Sequence, residues 1–299
     1  MTLTLAHSAD ADDAFMWWPL GNAAASPPIE PAIDTRGFSF EPIPEDIERL
    51  NRRAIERADL DITAVSIRAY PDIRHNYALT SCGMSIGEGY GPRVVSRTPI
   101  NFTDLLDPAR TLAIPGEKTT AFLALRLLLA GAPRTITMPF GDIIPAVRAG
   151  RADAGLLIHE GQLTYTGAGL HLIADLGALW KEQTGLPLPL GANAVRRDID
   201  ARFGTGALPR LTRVLTDSIQ YALTHRARGI EHARRMKGGL SATMELADID
   251  RYLDMYVSKL TLDAGNVGRR AIEMLLTRGH AAGYCPDPGP IDLLEPISP

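Results

Sequence analysis

The chain has 299 residues, enough for one large domain or for two of roughly 150 residues each. Hydrophobic residues at 45% and charged residues at 22% are ordinary globular values, which exclude disordered, collagen-like and fibrous classes. Lys plus Arg number 31 against 35 Asp plus Glu, a net charge of −4, so a strongly basic nucleic-acid binder is excluded and no charge draws the chain to an anionic membrane.

Cys82 and Cys285 lie far apart with no C-x-x-C or zinc-ligand spacing, so neither a disulfide framework nor a metal site is expected. The first Lys or Arg is Arg36, whereas a secretory signal opens with positive charge before an apolar run of about 7–15 residues. The best apolar run, 121–130, carries Arg126 and is far short of the ~20 residues a membrane span needs. A soluble cytoplasmic chain is expected.

Leu3-Thr4-Leu5-Ala6-His7 alternates as a strand does. The polar turn Ser8-Ala9-Asp10-Ala11-Asp12-Asp13 has acids suited to a helix N-terminus, and Ala14-Phe15-Met16-Trp17-Trp18 then opens an apolar helix. Residues 19–44, rich in Pro and Gly, read as loop with an exposed hairpin. A helix is predicted over 45–58, and a strand over 61–66 ends at Ser66. A glycine-rich stretch, 83–92, leads into a strand over 93–96.

From residue 110 the rhythm changes. Strands over 111–114, 135–138, 154–158 and 172–174 alternate with helices over 121–130, 143–149 and one through Trp180, the pattern of parallel β-α-β units. A strand over 190–195 closes the run. Beyond about 205 the pattern is helical, over 208–223, 245–256 and 266–278, before an extended proline-rich tail at 285–290.

This layout predicts an α/β fold of two lobes. Residues 1–107 with 201–299 form the first, discontinuous lobe, and 108–200 form an inserted one. Such folds hold small ligands in the crevice between lobes, outside the carboxyl ends of strands.

Several residues fall where that crevice is expected. Thr119-Thr120 opens a helix after a strand, where free N–H groups and a partial positive charge favour a carboxylate or phosphate; capping of its own helix by Thr119 is the alternative. His159 follows a continuous apolar strand, and imidazole takes a proton near neutral pH without much tuning. A structural histidine is the competing reading. His159-Glu160-Gly161-Gln162-Leu163 is not a zinc-hydrolase H-E-x-x-H motif, since Leu163 replaces the second histidine. Gly83-Met84-Ser85-Ile86-Gly87 matches G-x-S-x-G, but Gly89, Gly91 and Pro92 break the helix a nucleophile elbow requires. Asp10, Asp12 and Asp13 lack a calcium loop around them and read as helix caps.

Beyond these features, the run from Ala154 to Glu160 (Ala-Gly-Leu-Leu-Ile-His-Glu), continued by Leu163-Thr164-Tyr165, resembles the signature of the 1,4-dihydroxy-6-naphthoate synthase family of the futalosine route to menaquinone. Asp175-Leu176-Gly177, Thr184-Gly185-Leu186-Pro187-Leu188-Pro189-Leu190-Gly191, Pro115-Gly116, Thr119-Thr120-Ala121, Leu50-Asn51-Arg52 and Gly91-Pro92 extend the resemblance over nearly the whole chain. It implies a type II periplasmic-binding-protein-like fold with the ligand cleft between lobes. It also implies a carbon–carbon lyase splitting cyclic dehypoxanthine futalosine by a retro-aldol-type step, with no metal or cofactor. His159 matches the family's catalytic base; Thr119 and Thr120 match residues that hold the substrate carboxylate; Ser66, Asn51, Ser8 and Asp13 match cleft positions. The implied partner is a small carboxylate, not nucleic acid or membrane. The chain departs from the family's usual Ser-Pro-Cys-Pro-Asn-Asp-Thr-Phe loop at Asp10 and Asp12, and from a common cleft lysine at Ala64. Lys118 or a helix terminus is expected to compensate. Two rivals share the fold: chorismate dehydratase and a non-catalytic solute receptor.

Overall fold

The computed structural model of the chain describes residues 2–236, 242 and 244–295. Its strands, in chain order, are β1 (Thr2–His7), β2 (Ser39–Pro44), β3 (Ile62–Ser66), β4 (Tyr77–Thr80), β5 (Ser85–Gly87) and β6 (Arg93–Ser96). They continue with β7 (Leu112–Ile114), β8 (Thr135–Thr137), β9 (Ala154–Leu157), β10 (His171–Asp175), β11 (Leu188–Arg196) and β12 (Leu293–Leu294).

These strands form two sheets. One has seven strands in the order β12-β4-β11-β3-β1-β2, with β5 also paired to β11. The other has five in the order β10-β6-β9-β7-β8. β1, β2 and β3 run parallel, as do β7, β8 and β9. Each sheet therefore presents several carboxyl ends along one edge, and the chain leaves those ends at Ser8, Ser66 and His159. β3 reads Ile-Thr-Ala-Val-Ser and is buried at every position, as a central strand covered on both faces must be.

Helix ends follow from their sequences. The helix Thr120–Leu129 starts at Thr119, whose side chain accepts the Phe122 N–H, and stops at Ala130 with a left-handed φ of 52°. The helix Leu176–Thr184 starts at Asp175, which accepts the N–H groups of Gly177 and Ala178, and stops at left-handed Gly185.

Three expectations change. Residues 39–44 are a strand rather than part of an exposed hairpin: β2 pairs in parallel with β1 along its whole length. Pro42 and Pro44 cannot donate to a ladder, and β2 is accordingly an edge strand. The run after residue 110 is not wholly parallel, because β10 pairs antiparallel to β6 and β11 antiparallel to β3. Inside the glycine-rich stretch, Ser85–Gly87 pairs with β11. Cys82 and Cys285 are buried free thiols. Among the described residues no helix is long and apolar enough to cross a membrane.

Candidate active site

A cleft opens where the carboxyl ends of the two sheets meet, the place where two-lobed α/β folds hold small ligands. Its walls carry the loop after β1, the end of β3, the start of the helix Thr120–Leu129 and the loop after β9.

His159 sits two residues beyond β9 in a left-handed conformation, φ 56°. A non-glycine residue adopts this only at a cost of about 1–2 kcal/mol, so surrounding contacts must hold it. They do. Nδ1 is paired with the Asp10 carboxylate, and the Phe140 ring meets the imidazole edge to face at 4.6 Å between centroids. Nε2 is buried and has no hydrogen-bond partner among the described residues. His159 lines the cleft.

The neighbouring Glu160 reaches the same wall. It is fully buried, its Oε1 accepts the Ala11 N–H at 3.0 Å, and its Oε2 has no partner among the described residues. Two consecutive residues of one loop thus clasp Asp10 and Ala11 on the opposite wall. Asp13 accepts the Ser8 N–H at 2.6 Å, and Asp12 accepts the Ser85 hydroxyl at 2.9 Å while its Oδ1 has no partner among the described residues.

The charges in this cluster push proton affinities upward. Burial, followed by the nearby Asp10, raises the carboxyl pKa values of Asp12 and Glu160; for Asp13 the causes are burial, then Asp12 and Asp10. For His159 burial acts downward, but Asp10, then Glu160 and Asp12, outweigh it and bring the imidazole up to about 9. A group whose folded pKa is raised contributes stability below its unfolded value and loses that contribution as pH climbs through the folded one. For His159 the window is 6.5 to about 9. The melting temperature of the ligand-free protein should therefore fall by a few degrees between pH 7 and 9, and His159→Asn should flatten the fall in differential scanning calorimetry. His7 works in the opposite sense: burial lowers its pKa to about 4, so its contribution is lost only as pH falls from 6.5 towards that value.

Thr119 and Thr120 line the cleft, but their hydroxyls are committed elsewhere. Thr119 donates to the Gly116 carbonyl at 2.8 Å. Thr120 donates to the Leu190 carbonyl at 2.6 Å and accepts the Arg68 N–H at 3.1 Å. What remains for an anion is the first turn of their helix, where the N–H groups of Thr120 and Ala121 make no bond within the described residues. The two hydroxyls are thus already engaged, and the donors left unpaired among the described residues at this helix start are backbone N–H groups. No lysine or arginine lines the cleft among the described residues, and the ammonium of Lys118 pairs with Asp72 at 3.4 Å instead.

Ser8, Asp13 and Ser66 also line the cleft; Asn51 does not. Asn51 is fully buried one layer behind, donating to the Ser66 hydroxyl at 3.0 Å and accepting the Ser66 N–H at 2.8 Å. Those bonds orient Ser66, whose own hydroxyl hydrogen has no acceptor among the described residues. Asp10, Asp12, Ser85, Gln162, Tyr252 and Tyr256 join the wall without having been singled out as site residues. The Tyr256 hydroxyl donates to Gln162 at 2.8 Å, linking the helix Leu246–Tyr256 to the loop after β9. The tyrosines stand four apart on one helix face, a pattern indistinguishable from ordinary core in sequence. Among the described residues no group of three or more His, Cys, Asp or Glu is arranged to hold a metal ion.

Comparison with known proteins places this geometry in context. A family model for menaquinone biosynthesis matches residues 3–281. A Streptomyces coelicolor protein named 1,4-dihydroxy-6-naphtoate synthase is 37% identical, covering 99% of each chain. A Thermus thermophilus protein of the same name is 35% identical over 97% of this chain and 98% of its own. A solved structure from Archaeoglobus fulgidus superposes with a TM-score of 0.81 at 37% identity, covering 94% of this chain and 98% of that one. The ligand-binding component of an ABC-type import system from Staphylococcus aureus reaches 0.71 at 10% identity, covering 99% and 97%. That last likeness shows the fold alone, which is that of the periplasmic binding proteins. With its full-length relatives and matching family model, the chain belongs to the menaquinone biosynthesis family.

Proposed function

We propose that the chain is a lyase converting cyclic dehypoxanthine futalosine to 1,4-dihydroxy-6-naphthoate. The observation that carries this reading is the buried Nε2 of His159, without a partner among the described residues, in a cleft that also holds the open start of the helix Thr120–Leu129. Two near-full-length relatives named for the same product support it.

The substrate carboxylate rests on the Thr120 and Ala121 N–H groups, with the Ser66 hydroxyl beside them. His159 Nε2 removes a substrate hydroxyl proton. The O–H electrons become a carbonyl, the adjacent C–C bond breaks, the fragment bearing that carbonyl leaves, and the electron pair enters the ring as the bicycle aromatises, its charge neutralised by the proton His159 took up. General-base help is worth about 10²–10⁴-fold, so orientation and exclusion of water supply the remainder.

Each sheet is the core of one lobe; the expected division, 1–107 with 201–299 against 108–200, moves its edges because β6 pairs in the five-stranded sheet and β11 in the seven-stranded one. The lyase acts in the cytoplasm on a small carboxylate, in keeping with relatives named as biosynthetic enzymes.

Incubating the purified protein with cyclic dehypoxanthine futalosine should release the naphthoate, followed by liquid chromatography and mass spectrometry. Tight binding without product would instead indicate a receptor and overturn the lyase reading.

A further inference from the structure

We propose that Asp10 is the positioning residue of His159: its carboxylate, braced by the Ser8 hydroxyl, takes the Nδ1–H of the imidazole and so fixes Nε2 as the atom that exchanges a proton with substrate. The inference rests on the lyase reading and deepens it.

Asp10 stands at the N-cap of the helix Ala11–Trp17, yet its side chain makes no capping bond. That is unusual for an aspartate at such a position. Its two oxygens are used otherwise: Oδ1 accepts the Ser8 hydroxyl at 2.5 Å, and Oδ2 pairs with His159 Nδ1. The Ala11 N–H is satisfied from across the cleft by Glu160. The carboxylate is buried, 3% exposed, so water does not compete for the pair.

Chemically this fixes a tautomer. A carboxylate accepts and does not donate, so Nδ1 carries hydrogen in either charge state, and Nε2 holds the exchangeable proton or the lone pair. Flipping the ring would break the pair and turn a C–H toward the acid. The left-handed backbone at His159 and the Phe140 ring hold the imidazole where Asp10 can reach it. Asp12 and Asp13 also face the imidazole from the helix that Asp10 opens, Asp46 faces it from the start of the helix Ile47–Glu56, and Glu160 adjoins it. Among these only Asp10 bonds the ring, so its removal should leave burial dominant and lower the imidazole's affinity for its proton.

The test uses the full chain and ¹⁵N-labelled histidine. His159 is identified in NMR spectra by its loss in His159→Asn. In the ligand-free wild type Nδ1 should stay protonated throughout while Nε2 titrates near 9; in Asp10→Asn the midpoint should fall by about two pH units or more. With substrate, kcat should fall about 10–100-fold while KM stays within about threefold, and the limb of kcat/KM against pH should move by the same interval as the NMR midpoint. Asp10→Glu should restore part of both. A midpoint unchanged in folded Asp10→Asn overturns the proposal, whatever the activity; so does a lower kcat with an unmoved limb, which would mark Asp10 as a scaffold only. If Asp10→Asn does not fold, the wild type still decides, because titration at or below the ordinary 6.5 would rule the pairing out. A moved midpoint with no turnover by the wild type would sink the lyase reading and leave the pairing intact.

Discussion

Replacing His159 by Asn should lower kcat for naphthoate release by about 10²–10⁴-fold while leaving KM within about threefold. Asn is the informative substitution because of the backbone. His159 has a φ of 56°, a region that Asn enters more readily than Ala does. Loss of activity then reports the missing imidazole rather than a collapsed turn. The pH profile separates base from acid. A base works only unprotonated, so wild-type kcat/KM should climb with pH until the imidazole has titrated, near 9. An acid would give the reverse, a decline above that point. In His159→Asn the limb should vanish. Stopped assays across pH 6 to 10 would decide, and a variant as active as the wild type would remove His159 from the chemistry.

How far the site could be read from sequence depends on the range of the forces that build it. His159 stands out because a strand of small and aliphatic residues ends just before it, and Thr119-Thr120 because a Pro-Gly turn separates a strand from a helix. Those are local patterns. The partner of His159 is not local: Asp10 lies 149 positions away, and its loop reads equally well as helix caps. The two loops leave strands of different sheets and meet only across the cleft, where His159 pairs with Asp10 and Glu160 with Ala11. The threonine hydroxyls show the same limit. Their residue type suggested donors, but Gly116, Leu190 and Arg68, two of them distant in sequence, claim those groups first. In the fold, the long apolar strands and amphipathic helices were legible from their periods. β2 and β12 were not: one carries two prolines and the other is two residues long, so each owes its place to a neighbour already in the sheet.

The same dependence on close backbone fit makes Gly177→Ala a strongly destabilising substitution for so small a change. Gly177 lies in the first turn of the helix Leu176–Thr184, where the chain packs directly on Tyr90 and Gly91. A Cβ there would stand 1.9 Å from the Tyr90 carbonyl oxygen and 2.0 Å from its carbon, far inside van der Waals contact, and neither atom belongs to a side chain that could rotate away. The helix start cannot retreat easily, because the Leu176 N–H donates to the Pro92 carbonyl at 2.9 Å and Asp175 caps the turn. Overpacking of this kind costs roughly 1–3 kcal/mol and sometimes more, or about 2–6 °C of melting temperature for a chain this long. The damage should reach the cleft, since Pro92 lines it and the Tyr90 ring packs edge-on against Tyr256, another wall residue. KM should therefore rise along with the loss of stability. Gly167→Ala is the control: its Cβ would meet the Thr164 carbonyl at an ordinary 3.5 Å, so its melting temperature should stay within about 1–2 °C of the wild type. If both variants melt together with the wild type, the segment at Tyr90–Gly91 yields far more easily than its contacts imply, and the cleft wall it supports is correspondingly soft.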